Sequence, residues 1–117
     1  MIRRAGEYQV DIRTEMRGGD GEVKIEHLWD EENELKAETR LFAKLTLAHG
    51  CSIGFHHHDD EEEIFVIIKG AAEADDNGQK VVLNTGDTIL TGNGAGHSIK
   101  CISAEPLEIL AVISCYK

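Results

Sequence analysis

Three consecutive histidines, His56, His57 and His58, precede the acidic run Asp59 to Glu63. Imidazole nitrogens and carboxylate oxygens are common protein donors to divalent transition metals, so this stretch is a candidate metal site. Side chains of a β-strand alternate between its faces. On a strand His56 and His58 share one face with Cα atoms about 6.6 Å apart, and His57 points the other way. Two imidazoles at that separation can converge on one ion at bond lengths of about 2.0–2.2 Å. The residues Asp59 to Glu62 read as a turn, after which Glu63 opens the next strand and can face the same interior. A third imidazole, His97, follows the glycine-rich stretch Gly92-Asn93-Gly94-Ala95-Gly96, where one strand ends in a turn suited to positive φ and the next begins. Three imidazoles and one carboxylate would make a mixed nitrogen and oxygen site. His27 reads as a histidine on a strand face, and His49 sits in a loop with no partner in view.

Strands must hold these donors, and the patterning supplies them. Residues 23–29 alternate so that Val23, Ile25, His27 and Trp29 share a face, and Arg40 to Ala48 groups Leu41, Ala43, Leu45 and Leu47. Further strands are predicted at 52–57, 63–69, 71–75, 80–83, 87–91, 97–102 and 107–116. Asp75-Asp76-Asn77-Gly78 joins two of them, and Asn-Gly is a strong hairpin signal because both residues tolerate positive φ. Asp30 to Glu34 is an acidic connector, either a solvated loop or a single helical turn. With 12 glycines, one proline and no long helical period, the chain reads as an antiparallel β-sandwich or barrel. Inward-facing Phe65, Ile67, Ile99 and Cys101 would make its pocket mostly apolar.

The 117 residues suit one domain of roughly 100–150 residues, spanning 1–117. Acidic residues outnumber basic ones by 22 to 12, a net charge of −10, and no basic run exists to release counterions from a nucleic acid. The longest apolar runs, Ile64 to Ile68 and Ile109 to Ile113, fall far short of the roughly 20 residues of a membrane span. Met1-Ile2-Arg3-Arg4 leads into Glu and Asp instead of a hydrophobic signal stretch, so a cytoplasmic location is expected. Cys51, Cys101 and Cys115 are odd in number and form no CxxC pair, which suits reduced thiols. Cys101 and Cys115 lie in apolar strands as small hydrophobes, and Cys51, in a loop, should react first.

The stretch from Gly50 to Gly70 resembles the first motif of the cupins, G(X)5HXH(X)3,4E(X)6G, with Gly50, His56, His58, Glu63 and Gly70 in place. The second motif, G(X)5PXG(X)2H(X)3N, is matched at Gly86, Gly94 and His97, while Gly92 stands where proline is usual and Cys101 where asparagine is usual. The resemblance covers about residues 40–116 and leaves 1–22 as an N-terminal arm. It implies an all-β fold, a double-stranded β-helix or jelly-roll-like barrel, with a metal held by His56, His58, Glu63 and His97. Glu62 is the rival to Glu63 because the motif permits either spacing, and the distance to Gly70 favours Glu63. Cys101 replaces a polar group of the pocket without touching a ligand.

A site of this kind leaves one or two coordination positions open to water or substrate. The ligand set admits Mn, Fe, Co, Ni, Cu or Zn, with Mn or Fe favoured. The expected function is that of a metalloenzyme acting on a small oxygen-rich molecule, carboxylate or sugar-derived, by decarboxylation, dioxygenation or isomerisation. Short single-domain cupins often look like relatives of oxalate decarboxylase. The alternative is a non-catalytic cupin that binds or senses a small ligand, and fold cannot decide between the two. Ile64, Val66 and Ile68 give the strand at 63–69 an apolar outer face as well, which calls for cover by a second subunit or by the N-terminal arm. A homodimer is therefore expected, with exchange of residues 1–20 between subunits as one way to build it.

Overall fold

Residues 107–115 show why the chain folds into layers: Leu107, Ile109, Ala111 and Ile113 are buried, while the residues between them face outward. The same two-residue period recurs along most of the sequence and builds two facing sheets. The computed structural model describes residues 1–117. One sheet has six strands in the spatial order β1 (Gln9–Thr14), β2 (Glu22–His27), β3 (Thr39–Leu47), β10 (Leu107–Cys115), β5 (Glu61–Lys69) and β8 (Thr88–Gly92). The other has four, in the order β4 (Ser52–His57), β9 (Gly96–Cys101), β6 (Ala72–Asp76) and β7 (Gln79–Leu83). Every pairing is antiparallel.

The core lies between the sheets. Val23, Ile25, Leu45, Leu47 and Ile109 of the larger sheet pack with Ile53, Ala74 and Ile99 of the smaller. Phe65, Ile67, Ile99 and Cys101 all point into this interior, as the alternation predicts. Each large aliphatic side chain buried here stabilises the fold by roughly 1.5–3 kcal/mol relative to exposure. Turns fall where the sequence places them. Asn77 and Gly78 have φ of 50° and 100° and close the hairpin between β6 and β7, and Asn93 and Gly94, at 55° and 85°, connect β8 to β9. Residues 30–34 make one helical turn, in which the Glu34 N–H donates to the Asp30 carbonyl at 3.0 Å.

Three differences from the sequence pattern exceed a single residue. Residues 9–14, expected in an arm outside the barrel, form β1 and pair with β2 of the same chain from Gln9 opposite His27 to Thr14 opposite Glu22. The apolar residues of β1, Val10 and Ile12, are 47% and 56% exposed, so this strand carries no core signature. β2 ends at His27, and Trp29 leaves the sheet to lie beneath the Arg3 guanidinium, 4.7 Å from its ring centre. β5 begins at Glu61 instead of Glu63 because Asp60, at φ 58°, closes the turn early and lets Glu61 and Glu62 pair with Cys115 and Ser114 of β10.

The outer row of β5 stays accessible: Ile64 and Val66 are half-buried, Ile68 is 46% exposed, and neighbouring Leu90 of β8 is 61% exposed. β1 sits at the opposite edge of the sheet, with β2, β3 and β10 between, so it does not cover this row.

Candidate metal centre

β4 and β9 are neighbours, and their register sets His56 directly opposite His97. His58 lies one residue beyond β4 but is held in line with it, because its N–H donates to the Ala95 carbonyl at 3.0 Å and its carbonyl accepts from the Gly94 N–H at 2.9 Å. The turn between β8 and β9 thus positions His58 as well as His97. Glu63 comes from β5 in the facing sheet and closes the group from across the interior. His58, Glu63 and His97 are almost wholly buried, and His56 is half-buried at the open end.

Donor atoms of the four residues all lie within 4.8 Å of one another. Nε2 of His97 is 3.0 Å from Nε2 of His58 and 3.2 Å from Nε2 of His56. Oε1 of Glu63 is 3.0 Å from Nε2 of both His58 and His97. Two donors at right angles on one ion, each with a bond of about 2.1 Å, stand about 3.0 Å apart.

Hydrogen bonds on the far side of the rings fix which nitrogen faces inward. His56 donates from Nδ1 to the Gly54 carbonyl at 2.7 Å, and His58 donates from Nδ1 to the Glu61 carboxylate. In its neutral form each ring therefore turns a bare Nε2 lone pair into the cluster, and a protonated His58 donates from Nε2 to Glu63 instead. Lone pairs directed at a common point repel unless a positive charge lies between them, so the donor set fits a divalent cation. His97 is held differently: its ring stacks on Phe65 at 4.9 Å and 13°, and its Nδ1 is buried without a hydrogen-bond partner. The Thr91 hydroxyl, opposite Glu63 on β8, is likewise buried and unpartnered.

Titration follows from these contacts. Burial pushes His56 down to about 4, opposed by its bond to Gly54 and aided by the charges of His97, His58 and Arg17. His58 is raised above the ordinary histidine value, first by its hydrogen bond to Glu63 and, against some desolvation, by its bond to Glu61. Burial alone would raise the Glu63 carboxyl, but hydrogen bonds from His58 and His97 together hold it below the usual range.

The remaining sequence candidates fall outside the cluster. His57 is exposed on the other face, with Nδ1 3.0 Å from the Gly94 carbonyl and its ring edge-on to Phe55. Glu62 also faces away and accepts from the Tyr116 hydroxyl at 3.0 Å. A Cβ at Gly92 would come within 2.6 Å of Glu62 Cβ and 2.9 Å of the Tyr116 oxygen, which explains a glycine where the motif carries proline. His27 pairs with Asp11 at 2.8 Å, and His49 contacts the Ser103 carbonyl. Cys101 is fully buried near that same carbonyl, and no cysteine forms a disulfide.

Two features have no place in the motifs. Glu61 bridges Arg40 to His58, accepting from the guanidinium at 2.9 and 3.0 Å, and the strong pair with Arg40 keeps its carboxyl ionised below the ordinary range. Strand alternation is the signal that could have found it, since Glu61 precedes Glu63 by two and shares its face. The second feature is the wall of a cavity of about 670 Å³ that opens onto His56, His58 and Glu63. Arg13, Met16 and Arg17 from the N-terminal segment line it beside Arg40, Leu41 and Phe65.

Residues 43–113 match the Cupin domain family. The chain belongs to the cupins. An "Oxalate-binding protein" from Thermotoga maritima is 40% identical over 113 residues, covering 97% of this chain and 93% of that protein. A solved structure described as a predicted oxalate decarboxylase, from the same organism, superposes with a TM-score of 0.90 at 39% identity, covering 98% of this chain and 99% of the other. A cupin 2 conserved barrel domain protein from Salinispora arenicola shares the fold at a TM-score of 0.73 and 22% identity, over 97% of this chain and 87% of that one. The double-stranded β-helix expected from the two motifs is the fold of this cupin. No helix is long and apolar enough to cross a membrane.

Proposed function

We propose that this cupin binds a divalent transition metal, Mn or Fe first, through His56, His58, Glu63 and His97, and that the ion receives a small carboxylate of the oxalate type. One observation carries the reading: three imidazole nitrogens and one carboxylate oxygen converge on one point at the floor of a cavity open to solvent. When bound, the ion would supply Lewis-acid polarisation of the carboxylate oxygens and leave coordination positions for them. Leu41 and Phe65 shield one side of the bound anion, while Arg13, Glu15, Arg17 and Arg40 make the rest of the wall polar, in place of the mostly apolar pocket expected from the alternation. The names of the two Thermotoga relatives support oxalate or a close analogue as its chemistry.

Capture without turnover is the reading the cavity favours. A decarboxylase must move a proton, and the two acids beside the candidate ion are engaged: Glu63 belongs to the donor set and Glu61 is held by Arg40 and His58. Turnover is the second reading, favoured by Glu15, an exposed carboxylate on the cavity wall outside the donor set. Titration of chelator-stripped protein with Mn, Fe, Zn or Ni, followed by calorimetry with oxalate on the loaded form, tests the proposal. A metal-dependent rise in Tm and metal-dependent oxalate binding support it; oxalate binding indifferent to metal overturns it. Product analysis on the same samples separates capture from turnover.

We also propose that a second copy covers the exposed row of Ile64, Val66, Ile68 and Leu90, since β1 lies too far away to do so. Light scattering near twice 12.9 kDa is the expected result, and a mass near 12.9 kDa at micromolar concentration would oppose it.

A further inference from the structure

The segment joining β1 to β2 is built against the strand that carries His56 and leads directly into His58. Glu15 and Arg17 adopt left-handed φ of 49° and 56°, a conformation that costs a non-glycine residue about 1–2 kcal/mol. It is held there by hydrogen bonds from the Glu15 N–H to the Gly21 carbonyl, from Gly18 to Glu15 and from Gly19 to Met16. Glycines let it sit close to β4. A Cβ on Gly54 would collide with the Arg17 carbonyl, and a Cβ on Gly19 with the Ser52 carbonyl. Gly54 is also the residue whose carbonyl receives the His56 ring, so a single point of β4 fixes both Arg17 and a candidate ligand. Strain maintained at such a point is a reason to look for a function.

Charge supplies that function. Arg40 is paired with Glu61, whereas Arg13 and Arg17 form no ion pair and line the same cavity as His56, His58 and Glu63. Arg17 lies close enough to His56 for its charge to bear on that ring. Taken with neutral imidazoles, the three arginines and a divalent ion outweigh Glu15, Glu61 and Glu63 by two positive charges, in a chain whose net charge is −10. A dicarboxylate neutralises that excess and a monocarboxylate leaves half of it.

We propose that Arg17, assisted by Arg13, is the residue that selects a small dianion, with the oxygens turned away from the metal received by the guanidinium. This deepens the carboxylate-binding reading above and rests on it. The fork of an arginine suits a carboxylate edge better than a lysine ammonium does.

Calorimetry on the Mn-loaded full chain tests it with two anions of nearly equal shape, oxalate and oxamate, which differ by one charge. The wild type should prefer oxalate by about tenfold or more. Arg17→Gln should bring that ratio close to one, Arg17→Lys should restore part of it, and Mn affinity should not fall, because removing a nearby cation does not repel the ion. An Arg17→Gln protein that keeps the full preference overturns the proposal and leaves the carboxylate reading standing. A wild type that binds neither anion overturns that reading and the proposal together. Should Arg17→Gln fail to fold, Arg17→Lys and Arg13→Gln decide: an undiminished preference in both overturns the assignment, and a reduced one supports it.

Discussion

The floor and the rim of the cavity are held in place by opposite means. On the floor, His56, His58 and His97 stand on regular strands or their direct continuation, and side-chain contacts aim them: the Gly54 carbonyl, the Glu61 carboxylate and the face of Phe65. On the rim, Arg17 is placed by its backbone, through left-handed φ and the closeness that Gly19 and Gly54 permit. A floor aimed by side-chain contacts is sensitive to its donors and to the side chains that hold them. A rim built on backbone contact is sensitive to one methyl group on a glycine that touches no ligand.

Removing a donor should have the largest effect. Metal at a hundredfold excess over Kd stabilises the fold by about 2.7 kcal/mol, several degrees of Tm for a domain of this size. His58→Ala should abolish that metal-dependent shift in a thermal melt. Next comes the support behind the donor. Glu61→Gln keeps an acceptor for the His58 N–H but loses the charge and the pair with Arg40, and should weaken metal binding by about 10–100-fold in a calorimetric titration. Were the affinity unchanged, the floor would not depend on its outer contacts, and the contrast with the rim would lose its basis.

Gly54→Ala probes the rim. Its new methyl meets the Arg17 carbonyl, so unfolding should show a loss of about 1–3 kcal/mol, and oxalate affinity should fall more than Mn affinity. A smaller effect is expected from pH. Metal requires a neutral His58, and its raised pKa means that a proton already competes for it above about pH 6.5. Mn affinity should therefore fall as pH drops through that raised value, by up to about tenfold per unit for this one proton. His56, held down to about 4, adds no competing proton near neutrality. His57→Ala should change neither the metal-dependent shift nor oxalate binding, because its ring lies on the outer face.

The floor was legible in the sequence because strand alternation converts spacing into facing: His56 and His58 two apart, His57 reversed, and Glu63 opening the partner strand. The glycine-rich turn before His97 announced its own backbone through Asn93 and Gly94. Glu61 was hidden inside an acidic run that reads as solvated turn, and only the early start of β5 turns it inward. The rim was hidden for another reason. β1 exposes its apolar residues Val10 and Ile12 and faces polar ones inward, Arg13 opposite buried Val23, so no hydrophobic period marks it as part of the barrel.

An anomalous difference map from crystals of the chain soaked in Mn tests the metal centre most directly. It should show one peak bonded at about 2.0–2.3 Å to Nε2 of His56, His58 and His97 and to Oε1 of Glu63. A peak on the outer face beside His57 and Asp59, or none between the four donors, would contradict it.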